Sequence, residues 1–129
     1  MYANVYAALF DDNEKYTPMP HKAIPKKVTQ AITHYLAALE REHLPIDQVW
    51  LFGSYAKGTQ HRWSDIDLCV VSPRFRNTWA ATQYLWSKRL TDSGLTIEPV
   101  GFTKQDFTEP SSLTAEIRKT GIQIPVRTR

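Results

Sequence analysis

The sequence predicts a small α+β domain, and three features lead there. The run Val49-Trp50-Leu51-Phe52 is a short apolar strand that stops at Gly53-Ser54. A second apolar run, Ile66 to Val71, opens with Asp65-x-Asp67. Between and around these strands, apolar residues recur at helical rather than alternating spacing, so helices flank a sheet.

The elements follow in chain order. Tyr2, Val5, Tyr6 and Leu9 are at helical spacing, which predicts a short amphipathic helix within residues 1–16. Thr17-Pro18-Met19-Pro20 and Pro25 interrupt regular structure, so residues 1–25 read as an N-terminal extension and residues 26–129 as the domain. Pro25 suits the start of a helix reaching about His43 and ended by Pro45. Val28, Ile32, Tyr35, Leu36 and Leu39 form its apolar stripe, which should cover one face of the sheet.

After the second strand, Ser72-Pro73-Arg74 is a turn, and Asn77 is the expected N-cap of a helix running to about Leu90. Trp79, Trp86 and Leu90 lie along one side of that helix, where core packing is the expected role of the two indoles. Gly94 is the expected C-cap. Leu95 to Val100 is a third strand, and Pro99 places it at an edge or a bulge because proline cannot donate to a ladder. A capped helical turn is expected over 102–107, and a helix begun by Ser111 or Ser112 carries Leu113 and Ile117. Gly121 stops that helix, and Ile122, Ile124 and Val126 alternate as a last strand.

The chemistry concentrates between Gly53 and Asp67. Gly53 lets backbone approach a ligand closely, and Ser54 begins a short helix whose first N–H groups and hydroxyl suit phosphate. Asp65 and Asp67 are two apart, so on a strand they share a face with Cα atoms about 6.6 Å apart. Two such carboxylates repel unless a cation or solvent separates them, and oxygen donors of this kind suit Mg²⁺. Gly53-x-x-x-x-Gly58 is not a P-loop, because Thr59 and Gln60 stand where Lys and Ser/Thr are required.

Gly53-Ser54, ten residues, then Asp65-x-Asp67 resembles the signature of the DNA polymerase β-like nucleotidyltransferase superfamily. Gly-Ser-Tyr-Ala-Lys-Gly-Thr followed by Trp-Ser-Asp-Ile-Asp-Leu is similar to its minimal nucleotidyltransferases of bacteria and archaea, and the similarity extends from about Lys26 to Val126. The resemblance implies the polymerase β-like fold, with a small mixed β-sheet and helices packed mainly on one face. It implies a third acidic ligand on a later strand, the place Glu98 occupies, although many relatives carry Asp there. It further implies two Mg²⁺ ions held by Asp65, Asp67 and Glu98, ATP as donor, and phosphates at Gly53, Ser54 and Lys57. In this branch the acceptor is a tyrosine of a HEPN-type toxin and the nucleotidyltransferase is the antitoxin.

Other residues near the motif carry plainer expectations. Arg62 is a second nearby cation, His61 a loop residue, and Tyr55 and Trp63 pack around the loop. Cys69 shares parity with Asp67 and is expected as a small buried filler. A contact-only antitoxin has no need of clustered carboxylates. A small-molecule nucleotidyltransferase, of the aminoglycoside type, needs a larger acceptor domain.

Composition sets bounds on the rest. The chain has 129 residues, 42% hydrophobic and 22% charged, enough for a real core. Net charge is +3, too slight to argue for nucleic acid, and no basic domain is present to hold a DNA template. The single Cys69 rules out an internal disulfide. No apolar run is membrane-length and no signal-peptide pattern opens the chain, so a cytoplasmic location is expected. Homo-oligomerisation is left open.

Overall fold

The structure is a computed structural model that describes residues 24–90 and 94–126. The helix expected within 1–16 lies outside the described residues. Along the chain run α1 (Lys26–Arg41), β1 (Gln48–Phe52), α2 (Ser54–Lys57), β2 (Ile66–Val71), α3 (Thr78–Ser87), β3 (Ile97–Phe102), α4 (Lys104–Thr108), α5 (Ser112–Thr120) and β4 (Ile122–Ile124). The strands form one mixed sheet in the order β3-β2-β1-β4. β1 is antiparallel to both β2 and β4, while β2 and β3 are parallel. A parallel pair needs a long crossover, and α3 supplies it.

Strand alternation divides the sheet into two faces. Val49, Leu51, Ile66, Leu68, Val70, Ile97, Ile122 and Ile124 point one way. They bury against Val28, Ala31, Ile32, Tyr35, Leu36 and Leu39 of α1 and Leu85 of α3. On the other face, Cys69, Val71 and Phe102 form a smaller cluster with Phe107 of α4 and Ile117 of α5. Phe107 stacks at 5.9 Å from both Trp50 and Phe102. The larger helices thus lie on one face, and the opposite face is filled only toward one end.

Local signals account for the helix ends. α1 starts after Pro25 and closes with His43 at φ 62, where His43 N–H donates to the Glu40 carbonyl and Leu44 N–H to that of Leu39. This pairing absorbs the carbonyls left over at a helix end and turns the chain toward β1. The Asn77 side chain caps α3 by accepting from Ala80 N–H at 2.8 Å. Thr103 caps α4 and Ser111 caps α5 in the same way. Gly121 ends α5.

Three expectations are corrected. Trp79 and Leu90 do not enter the core: Trp79 is 73% exposed, Trp86 39% and Leu90 41%. The Asn77 cap sets the phase of α3 so that Ala81 and Leu85 face the sheet. There α3 lies so close to β3 that a Cβ on Gly101 would sit 2.6 Å from the Ala81 Cβ, which leaves no space for an indole. Gly94 is not the C-cap, because α3 ends at Ser87 with Lys88 closing it. On α5, Thr114 rather than Leu113 turns inward beside Ile117.

No described helix is long and apolar enough to cross a membrane. α1 and α3 are tied by the buried Tyr35 hydroxyl, which donates to the Leu85 carbonyl at 2.6 Å. Tyr35→Phe should lower unfolding stability by about 0.5–1.5 kcal/mol, since the Leu85 carbonyl keeps the Lys88 N–H at 3.2 Å. Urea titration should show a lower midpoint with an unchanged slope.

Candidate active site

The register of the strands assembles the site. Phe52 pairs with Asp67 across β1–β2, and Asp67 pairs with Glu98 across β2–β3. Phe52, Asp67 and Glu98 therefore form one row on the sheet face away from α1. The next row inward is Trp50, Cys69 and Val100, which is apolar. Cys69 is fully buried there, and burial pushes its thiol well above its usual range. It is a filler beneath the carboxylates. Neighbouring strands lie about 4.8 Å apart, so Asp67 and Glu98 are held close by backbone pairing alone.

Pro99 does not deflect Glu98. β3 is an edge strand, where a missing N–H costs no ladder bond. Asp65 stands just before β2, whose pairing begins with Ile66 N–H donating to the Thr96 carbonyl at 2.8 Å. Strand parity thus does not fix its side chain. It stands close enough to Glu98 to act on that carboxyl. Burial first, then Asp65 through hydrogen bonding and charge, then the Asp67 charge, raise the Glu98 carboxyl, while Arg89 opposes the rise. Burial and then the Asp65 charge raise Asp67. Burial and neighbouring like charge both favour the protonated form of a carboxyl.

The turn at Gly53 lies against this group. Gly53 has φ 75 and ψ −151, a conformation open only to glycine. A Cβ there would stand 2.1 Å from Asp67 Oδ2. Gly53-Ser54 and Asp67 thus share one small space. α2 is closed by Gly58 at φ 74. Lys57 points elsewhere, pairing with Glu116 of α5 at 2.9 Å. Hydrogen bonding from Lys57, then its charge, lowers the Glu116 carboxyl. Both partners are exposed, so the pair is weak and leaves Lys57 free to exchange partners.

The loop from Gln60 to Ser64 is stapled by its own polar groups. His61 Nδ1 accepts from Trp63 N–H at 3.2 Å, and Ser64 Oγ accepts from His61 N–H at 2.9 Å. His61 is therefore a loop residue. Tyr55 packs against the main core. Trp63 does not pack around the loop as expected, for it is 77% exposed with the Arg62 guanidinium 5.4 Å from its ring centroid. The polar staple holds the loop without an apolar anchor. Arg89 was not legible from sequence, because it comes from the far end of α3 and has no motif around it.

Among the described residues, no three Asp, Glu, His or Cys side chains are already gathered as a finished metal cage. The donor set of Asp65, Asp67 and Glu98 nonetheless fits a hard divalent cation in its chemistry, being all carboxylate and mutually repelling.

A family model described as nucleotidyltransferase domain matches residues 33–120, which is more than half the chain. The chain belongs to the nucleotidyltransferase-domain family. Within this family it is 51% identical over 35 residues to the protein adenylyltransferase MntA of Shewanella oneidensis, a stretch covering 26% of this chain and 25% of that protein. The match spans about a quarter of the length of that curated relative. Among solved structures, a toxin–antitoxin with AMP-PNP is 27% identical, covering 70% of this chain and 69% of that one at TM-score 0.45. A mutant MntA-HpeT toxin–antitoxin is 24% identical, covering 73% and 71% at TM-score 0.49.

Gly53→Ala in this nucleotidyltransferase domain should lose at least about 1 kcal/mol from the positive φ alone, with the clash on Asp67 added. Chemical unfolding measures that loss. Gly58→Ala, at φ 74, should likewise lose about 1 kcal/mol.

Proposed function

We propose that this chain transfers a nucleoside monophosphate, AMP from ATP, to a hydroxyl on another protein. The acceptor is a tyrosine of a HEPN-type toxin, and the chain acts as its antitoxin in the cytoplasm. The observation that carries the transfer reading is the row of Asp67 opposite Glu98, with Asp65 close to Glu98 and Gly53 against Asp67. The short similarity to the Shewanella protein adenylyltransferase supports the choice of a protein acceptor.

Each group has a task in this reaction. The Gly53-Ser54 turn and the Ser54 hydroxyl bind the terminal phosphates, with Lys57 released from Glu116 as a nearby cation. Asp65, Asp67 and Glu98 would hold divalent metal, which would supply neutralisation of charge on the phosphoryl oxygens. The acceptor oxygen forms a bond to the α-phosphorus as the bond to pyrophosphate breaks. Glu98, at the open edge of the row, takes the acceptor's proton. Little covalent chemistry falls to the protein, so placement of these groups carries most of the rate.

The test is incubation with α-labelled ATP, Mg²⁺ and a HEPN-type protein, followed by intact-mass and peptide analysis. AMP should appear on a partner tyrosine. Asp67→Asn and Glu98→Gln should each lower transfer by roughly 10²–10³-fold, the scale for losing one electrostatic stabiliser. Failure of the chain to move label from any nucleoside triphosphate to such a partner would sink the proposal. Neutralisation of the toxin that persists in Asp65→Asn and Asp67→Asn would show that contact alone suffices.

A further inference from the structure

Among the described residues, β3 has a neighbour strand on one side only, so the backbone groups on its outer edge lack a described strand partner. Side chains of α3, and of Arg89 just beyond it, take them instead. Gly101 N–H donates to Thr82 Oγ1 at 3.1 Å. Trp86 Nε1 donates to the Pro99 carbonyl at 2.9 Å. Arg89 Nη1 donates to the Ile97 carbonyl at 3.4 Å. Residues two apart on a strand point their backbone groups the same way, so Ile97, Pro99 and Gly101 all address the outer edge. Glu98 lies between the first two, with its own backbone toward β2.

The carbonyls gripped by Trp86 and Arg89 are thus the two that flank Glu98. The two donors also support each other, since the Arg89 guanidinium lies 3.9 Å from the centroid of the Trp86 ring. Trp86 is 39% exposed, so burial of the indole does not explain its placement, whereas its N–H has a defined partner. Pro99 sharpens the need for such a grip. It removes one outward N–H, and leaves the edge around Glu98 to be held through carbonyls alone.

We propose that Trp86 and Arg89 are positioning residues that brace β3 from outside and hold Glu98 opposite Asp67 for the transfer reaction. This rests on the reading of the carboxylate row as a transfer centre. The brace needs no contact with substrate: it passes through the Ile97 and Pro99 carbonyls to the backbone of Glu98, and the Arg89 charge also acts on the Glu98 carboxyl. Groups that orient metal-site or catalytic ligands from behind commonly matter by 10–100-fold.

The experiment uses the full chain with Trp86→Phe, Arg89→Met and Arg89→Lys, and with Trp79→Ala as a control on the exposed side of the same helix. Trp86→Phe keeps a ring but removes the N–H. The first two variants should lower kcat of AMP transfer about 10–100-fold, with KM for ATP little changed. Arg89→Lys, which keeps a charge and a donor, should recover part of the rate, and Trp79→Ala should behave as the parent. Amide hydrogen exchange supplies the second readout. β3 amides should exchange faster in Trp86→Phe and Arg89→Met, while those of α1 and β1 keep the parent rate. Unchanged kcat, or unchanged β3 exchange, overturns the brace. A fall in kcat matched by equal loosening of α1 and β1 also overturns it, because the residues would then be merely structural. Absence of transfer by the parent defeats the transfer reading, and β3 exchange still decides the brace.

Discussion

The site depends on the parallel pairing of β2 with β3. That ladder sets Asp67 beside Glu98 across residues separated by a helix and two loops. A slip of one residue would turn Glu98 to the apolar face and put Ile97 or Pro99 in its place. The register is strongly specified because Ile66, Leu68, Val70 and Ile97 must all meet the core beneath α1 and α3. Hydrophobic burial on one face thus positions charge on the other. The same burial explains why the acidic groups lie at the end of the sheet. Further in, Cys69, Val71 and Phe102 are sealed by Phe107 and Ile117, and unpaired carboxylates there would be costly.

The carboxylates are left in tension by this arrangement. Burial and then the Asp65 charge raise the Asp67 carboxyl, while burial, then Asp65, then Asp67 raise that of Glu98. Gly53 closes the remaining space from the side of β1, and any side chain there would displace Asp67. The Gly53 turn and the Asp67 carboxylate are therefore parts of one packed unit.

The outer edge of β3 shows how an exposed strand is managed next to a reactive group. Edge strands invite unwanted pairing. Here the edge is both blunted by Pro99 and covered by Thr82, Trp86 and Arg89. The exposed indole of Trp86 belongs to that cover.

What the sequence determined by itself was the set of elements and most of the chemistry. The 3.6-residue stripe of α1, the caps at Asn77 and Ser111, the stop at Gly121 and the Gly-Ser and Asp-x-Asp motif are local, and local physics suffices to read them. Parity placed Cys69 beneath Asp67 correctly for the same reason. Tertiary packing decided the rest. Periodicity put Trp79 and Trp86 on one side of α3, but it could not reveal that Gly101 and Ala81 bring helix and sheet too close to admit them. It could not reveal the pairing of Lys57 with Glu116. Long-range register and close approach are properties of several segments together, so no single stretch records them. The Gly53-to-Asp67 stretch supplied candidate groups; the β2–β3 ladder brought Glu98 from another segment to Asp67.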